Sequence, residues 1–78
     1  MEKFTLSIIV ANKSSVLARV AGLFSKRGYN IDSLHVDILN GDENFSRIIM
    51  TSHGDVATKL QIVKQLGKLH DVLEVKII

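Results

Sequence analysis

The chain has 78 residues, of which 46% are apolar and 23% are charged, and its formal net charge is +2. This length fits one domain over residues 1–78, and so small a positive excess creates no field suited to nucleic acid. The absence of cysteine excludes disulfides, thiolate metal ligands and thiol catalysis. A domain of this size buries only ~60% of the surface that its unfolded chain exposes, so we expect a second chain to contribute to its stability.

The sequence carries no sign of a membrane segment or of a linker. No apolar stretch approaches the roughly 20 residues of a membrane span, and the first residues lack the layout of a signal peptide. The chain also has no proline, which is common in linkers. We therefore expect a cytoplasmic protein that does not contact membranes.

The first part of the chain predicts a strand followed by a helix. Residues 4–10 alternate in polarity, which is typical of a strand with one buried face. Apolar residues recur at helical spacing over residues 16–24. Ser14 or Ser15 is the expected N-cap of this helix, and Gly28 fits the left-handed position after its last turn.

The rest of the chain predicts two strands, a second helix and a final strand. The Asn40-Gly41 pair is a strong signal for a hairpin turn between the two strands, because both residues tolerate positive φ. Asp55 is the expected N-cap of the second helix. These four elements are predicted over residues 31–39, 45–52, 56–69 and 72–78.

The order βαββαβ predicts an α+β, ferredoxin-like fold, in which a four-stranded antiparallel sheet carries both helices on one face. Right-handed crossovers place the first and third strands in the centre and leave the second and fourth at the edges. An open edge favours pairing with another chain, and the second strand has few charges to prevent it.

No group of residues in the sequence predicts catalysis, metal binding or RNA binding. His35 and Asp37 share one strand face, where they form either an acid/base or metal pair or, as we favour, part of a solvated surface. His53 and His70 lie near predicted element ends and are expected at the surface. The chain has four aromatic residues, too few for the stacking platform of an RNA-recognition sheet.

Two regions remain as candidate binding surfaces. Asn12 precedes the first helix, whose starting amides can bind a carboxylate. Asn30 follows Gly28-Tyr29 just before the second strand, although asparagines in such turns often bond only their own backbone. Ile9 and Ile49 are predicted on the outer face of the sheet, where a pair of isoleucines indicates a covered surface.

Four segments resemble motifs of the small regulatory subunits of acetolactate synthase (acetohydroxyacid synthase, AHAS), which contain an ACT domain. Residues 12–20 read N-K-S-S-V-L-A-R-V and resemble the opening N-x-x-G-x-L-x-R-V of ACT domains. Residues 22–34 read G-L-F-S-K-R-G-Y-N-I-D-S-L and are very similar to the small-subunit pattern G-L-F-S-x-R-G-Y-N-I-x-S-L. Ser46-Arg47 and residues 65–75, Q-L-G-K-L-H-D-V-L-E-V, resemble its third strand and its closing segment.

The resemblance implies a chain that is not itself an enzyme. Such subunits bind the catalytic subunit, raise its activity and often confer feedback inhibition by valine. Catalysis and the cofactors thiamine diphosphate, a divalent metal and FAD belong to the catalytic chain, so no cofactor is expected in this one. The resemblance further implies a homodimer through the second strand, with the amino acid bound between its two chains.

The resemblance also implies the residues of that effector site. The first loop and helix start of one chain contribute five of them, and the segment before the second strand of the other chain completes the site. Carried over to this sequence, the candidates are Asn12, Ser14, Ser15, Val16 and Leu17 from one chain, and Asn30 and Ile31 from the other.

Two departures from the family pattern leave alternatives open. Ser15 stands where the loop motif has glycine, and its side chain either blocks valine or caps the helix. Typical small subunits continue into another domain, so this chain is expected to be a short small subunit, a fragment or a stand-alone ACT protein. The rival functions are an amino-acid-binding ACT module that regulates another enzyme and an interaction domain without a ligand.

Overall fold

The computed structural model describes residues 2–78, which form four strands and two helices in the predicted order. Met1 lies outside the described residues. The elements are β1 (Glu2–Ala11), α1 (Ser14–Arg27), β2 (Ser33–Leu39), β3 (Asp42–Gly54), α2 (Val56–Gly67) and β4 (Val72–Ile77). Neither helix is long and apolar enough to cross a membrane.

The strands form one antiparallel sheet in the order β2-β3-β1-β4, which confirms the ferredoxin-like α+β fold. β1 and β3 occupy the centre because each crossover passes over one strand, and β2 and β4 are the two edges. The central ladder is long, running from the pair Glu2 and Gly54 to the pair Ala11 and Phe45.

The core lies between one face of the sheet and the two helices. The alternating residues of β1 that were predicted to be buried are buried, as are Ile48 and Met50 of β3. The helices contribute one apolar stripe each, which is how an amphipathic helix covers a sheet. The buried apolar residues are Phe4, Leu6, Ile8, Val10, Val16, Val20, Phe24, Ile48, Met50, Ile62 and Leu66.

Three of the predicted local signals are confirmed. Gly28 adopts a left-handed φ of 71° and its amide bonds to carbonyls of the last turn of α1. Asn40 and Gly41 both have positive φ, 48° and 78°, in the β2–β3 turn. Asp55 caps α2, since its carboxylate accepts a hydrogen bond of 2.7 Å from the Thr58 amide.

The predicted serine cap of α1 is wrong. Lys13 occupies the N-cap position, and no side chain accepts a hydrogen bond from the first turn. Ser14 and Ser15 are instead the first two helical residues. The Asn12 amide still donates to the Asn44 carbonyl of β3, and the helix begins two residues later.

Strand ends also differ from the prediction. His53 and Gly54 were expected to break β3, but they pair with Lys3 and Glu2 and extend the central ladder. On β4 a register shift sets Val72 opposite Val10 and leaves Leu73 as an extra, 56% exposed residue. Strict alternation along a strand would place Leu73 on the same side as the partly buried Val75, but the bulge leaves Leu73 exposed.

Candidate functional site

The first loop borders a cavity of about 240 Å³ at the start of α1. Its polar lining comes from the loop and from β3, and its apolar lining comes from α1, β2 and the core. The main lining residues are Asn12, Lys13, Ser14, Leu17, Val36 and Ser46. The cavity opens at the β2 edge, where Val36 is 42% exposed.

The Asn12 side chain is fixed in this cavity by both ends of its carboxamide. Nδ2 donates to the Glu43 carbonyl at 2.8 Å, and Oδ1 accepts from the Ser46 hydroxyl at 2.9 Å. A carboxamide has two N–H groups and two oxygen lone pairs, so these contacts use half of its capacity. Among residues 2–78, no further hydrogen bond uses the other half.

The loop itself is held from the opposite side by Asp71. The Asp71 carbonyl accepts from the Ala11 amide at 2.9 Å. Its carboxylate lies 3.7 Å from Lys13 Nζ and 3.3 Å from Arg19 Nη1, with only 12% of the Asp71 side chain exposed. These contacts connect the first loop and α1 to the turn before β4.

The other first-loop candidates lie in different environments: some line the cavity, one is exposed to solvent and one is in the core. Ser14 and Leu17 line the cavity, whereas Ser15 is exposed and does not line it. The Val16 side chain belongs to the core, and its amide already donates to the Lys13 carbonyl at 3.0 Å. Val16 therefore positions the start of the helix and has no free group for a ligand.

A second cluster surrounds Asn30, beside a cavity of about 430 Å³ that Tyr29 and Asp55 also line. Asn30 Nδ2 lies 3.1 Å from His53 Nε2, and the Asn30 carbonyl accepts from the Ser52 hydroxyl. Asn30 thus bonds to β3 through both its side chain and its backbone, and it does not form the purely local turn that its sequence context favours.

His53 also contacts Asp32, so its ring is held on both sides. Nδ1 lies 2.9 and 3.0 Å from the two carboxylate oxygens of Asp32. The His53 side chain is 30% exposed and that of Asp32 is 27% exposed. The sequence predicts His53 at the surface and carries no signal for these contacts, because they depend on the β2–β3 register.

In one chain the two asparagine clusters lie far apart. Asn12 contacts Ser46, and Asn30 contacts Ser52 and His53, near the other end of β3. Ser46 and Ser52 are separated by six residues of strand, which is about 20 Å. A single chain therefore does not bring the seven candidate residues together.

The residues considered for acid/base chemistry or metal binding do not form a comparable cluster. His35 and Asp37 are exposed on β2, opposite Ile49 and Arg47 of β3. Within residues 2–78 no group of three or more histidine or acidic side chains is placed to hold a metal ion.

A family model described as the AHAS small subunit-like ACT domain matches residues 6–74. The chain belongs to this family. It is 45% identical over 73 residues to a probable acetolactate synthase small subunit of Archaeoglobus fulgidus, covering 94% of this chain and 45% of the relative. It is 50% identical over 70 residues to the acetolactate synthase isozyme 3 small subunit of Escherichia coli (strain K12), covering 90% of this chain and 42% of the relative.

Solved structures agree with this assignment to the AHAS small subunit-like ACT domains. The crystal structure of the acetolactate synthase small subunit from Thermotoga maritima superposes with a TM-score of 0.90 at 36% identity, covering 99% of this chain and 47% of that one. The ACT domain from GTP pyrophosphokinase of Chlorobium tepidum, at 18% identity and a TM-score of 0.76, shares the fold, covering 97% of this chain and 96% of that one. This ACT domain spans less than half the length of the small subunits that it matches.

Proposed function

We propose that this ACT domain acts in a non-catalytic regulatory small subunit, which binds and activates the catalytic subunit of an acetolactate synthase in branched-chain amino acid biosynthesis. The observation that carries the proposal is its family membership, together with small-subunit relatives at 45% and 50% identity. On this proposal, thiamine diphosphate, the divalent metal and FAD are bound by the catalytic subunit, and this chain holds no cofactor.

The proposal includes a homodimer that pairs along β2. Four large apolar side chains lie on this edge strand, just before it or on the neighbouring start of α1, and they are 37% to 50% exposed. They are Leu17, Ile31, Val36 and Ile38. An edge strand with exposed apolar residues and unpaired backbone groups is suited to pairing with a second copy, and such pairing is isologous.

Antiparallel pairing of two β2 strands supports a composite effector site. Val36 is the middle residue of β2, so pairing centred on it sets Ser33 opposite the partner's Leu39. The start of one β2 then lies beside the end of the other, where Leu39 pairs with Asp42 close to the Asn12 contacts. This arrangement brings the partner's Asn30 toward Asn12, although the two clusters are about 20 Å apart within one chain.

The chemistry of the combined lining suits a small apolar amino acid such as valine. The Ser14 and Ser15 amides at the start of α1 have no partners within the helix and favour a carboxylate, whereas the Val16 amide already bonds to Lys13. Leu17 and Val36 provide an apolar wall for an aliphatic side chain. The free capacity of the Asn12 carboxamide and the partner's Asn30 would then orient the ammonium and carboxylate groups.

The test is to mix this chain with a thiamine-diphosphate-dependent acetolactate synthase catalytic subunit from the same organism. We expect co-elution on gel filtration and a rise in the rate of acetolactate formation over the catalytic subunit alone. A folded dimer that neither co-elutes with the catalytic subunit nor raises its rate of acetolactate formation would contradict the proposal. L-Valine binding without any synthase partner would instead favour the alternative, an ACT module that regulates another enzyme.

A further inference from the structure

The contacts of His53 define which of its ring nitrogens carries a proton. The Asp32 carboxylate only accepts hydrogen bonds, so its contacts of 2.9 and 3.0 Å with Nδ1 require a proton on Nδ1. A neutral imidazole has a single N–H, and Nε2 is therefore an acceptor. The 3.1 Å contact to Asn30 is then an N–H that Nδ2 donates to the ring.

We propose that His53 is a positioning residue that sets which end of the Asn30 carboxamide faces the effector, and that protonation of the His53 ring reverses this orientation. The inference rests on the proposed function, in which Asn30 completes the effector site across the dimer. His53 itself touches Asn30 and not the effector.

The two charge states of the ring require opposite orientations of the amide. While the ring is neutral, Nδ2 of Asn30 faces it, and Oδ1 is directed away, where it can accept from the ammonium group of an amino acid. Once Nε2 is protonated, both ring nitrogens are donors and Oδ1 must turn to accept from Nε2. Nδ2 then faces the ammonium group, so two donors meet and binding weakens.

The Nδ1 contact to Asp32 is the same in both states, so the ring stays in place while only Nε2 changes its role. Asp32, on the segment before β2, is the charged group in contact with the ring. The titratable groups on the neighbouring elements are Lys3, which pairs with His53 on β1, and Arg27, Tyr29 and Asp55, which line the same cavity.

The first experiment needs neither a variant nor an effector. Nitrogen-15 NMR of the labelled chain between pH 5 and 8.5 follows the His53 ring nitrogens and the side-chain amide of Asn30. We expect the Nδ1–H tautomer at high pH, and Asn30 amide resonances that shift with the same midpoint as the His53 ring. Asn30 resonances that stay constant while His53 titrates, or an Nε2–H tautomer at high pH, overturn the inference.

The second experiment measures L-valine binding by calorimetry at pH 8 and pH 5.5, in the Ser15→Gly chain. Valine remains a zwitterion over this range, so a change in affinity reports on the protein. We expect binding to be about tenfold weaker at pH 5.5, which is the scale of one lost hydrogen bond to a charged group. In the same background, His53→Gln should remove the pH dependence, because a glutamine amide donates to Asp32 and accepts from Asn30 at every pH.

His70→Gln is the matched control, since His70 is exposed in the turn before β4 and lies outside the cluster. It should keep the pH dependence of the Ser15→Gly chain. Equal pH dependence in the His53→Gln and His70→Gln chains overturns the inference. If valine binds at neither pH while the Asn30 resonances follow His53, the effector function fails and the positioning role of His53 stands.

Discussion

Ser15 occupies the position at which the first-loop motif of the family has glycine. Of the non-glycine residues from 2 to 78, only Asn40 has positive φ, so the backbone at Ser15 does not require glycine. Ser15 also does not cap α1, because no side chain accepts from its first turn. On the proposed function, the remaining consequence of the serine is steric, because its Cβ and hydroxyl would stand beside an effector bound at the start of the helix.

We therefore predict that millimolar L-valine raises the melting temperature of the natural chain by less than about 2 °C, and that of the Ser15→Gly chain by at least about 4 °C. A ligand that binds the native state stabilises it, and about 1 kcal/mol corresponds to 4–8 °C in a domain of this size. Scanning fluorimetry measures both shifts. Ser25→Gly, at an exposed position of α1, is the control, because it also replaces a helical serine by glycine. L-Valine should raise its melting temperature by the same amount as that of the natural chain.

Gly54 is the glycine for which a side chain has no space. A Cβ at this position would lie 2.9 Å from Thr58 Cγ2 and 3.0 Å from Thr58 Cβ. We predict that Gly54→Ala destabilises the chain by about 1–3 kcal/mol, the usual cost of overpacking, as measured by urea denaturation. Gly22→Ala is the matched control, because nothing lies within 4 Å of a Cβ there and alanine favours the helix interior by roughly 0.5–1 kcal/mol.

At the scale of elements, the Asp55 cap links the stability of α2 to pH. The hydrogen bond from the Thr58 amide lowers the pKa of the Asp55 carboxyl below its ordinary value of 3.8. A carboxyl whose pKa is lower in the folded state adds stability above the unfolded value, and this is lost as pH falls through the folded value. The contribution of the charge is therefore complete near pH 6 and declines below about pH 3.8.

We predict that Asp55→Asn is less stable than the natural chain at pH 6 and that the difference narrows as the pH falls to 2.5. Asparagine still accepts the amide hydrogen bond but carries no charge, so the comparison isolates the charge at the start of the helix. Urea denaturation at the two pH values gives the difference. A gap that remains constant from pH 6 to pH 2.5 would show that the charge of Asp55 has no role in the cap.

The order of the elements and the buried face of each were predictable because they depend on local signals. Period-2 and helical spacing identified β1 and the Phe24 side of α1, and the Asn40-Gly41 pair located the hairpin. The strand ends were not predictable, because the pairing of His53 with Lys3 depends on a partner strand 50 residues away. The bulge at Leu73 is likewise a property of the β1–β4 ladder and not of either strand alone.

The candidate site was predictable only in part for the same reason. Resemblance to the family identified Asn12 and Asn30, which the structure places beside two cavities. The partners that orient them, Ser46 and His53, are brought near by the register of β3, and local sequence carries no signal for these contacts. Val16 was carried over as a helix-start candidate, yet the helix directs its side chain into the core.

At the scale of the whole molecule, the exposed apolar edge at β2 is the feature that a second copy would cover. Ile38 is 50% exposed at this edge, and Leu60 is 57% exposed on α2, away from β2. We predict that the natural chain is a dimer by light scattering at micromolar concentration and that Ile38→Lys is a monomer. Leu60→Lys is the matched control, because it adds the same charge at an equally exposed apolar residue, and it should remain a dimer.

A dimer also makes the melting temperature depend on concentration, because unfolding then releases two chains from one particle. Raising the chain concentration a hundredfold favours the folded dimer by about 2.7 kcal/mol through mass action. We expect the melting temperature of the natural chain and of Leu60→Lys to rise by several degrees when the chain concentration is raised from roughly 2 to roughly 200 μM. The melting temperature of Ile38→Lys should stay constant over this range, because its unfolding produces one chain from one chain. A constant melting temperature in the natural chain would mean that β2 does not pair in solution, and the composite effector site would then lack its second half.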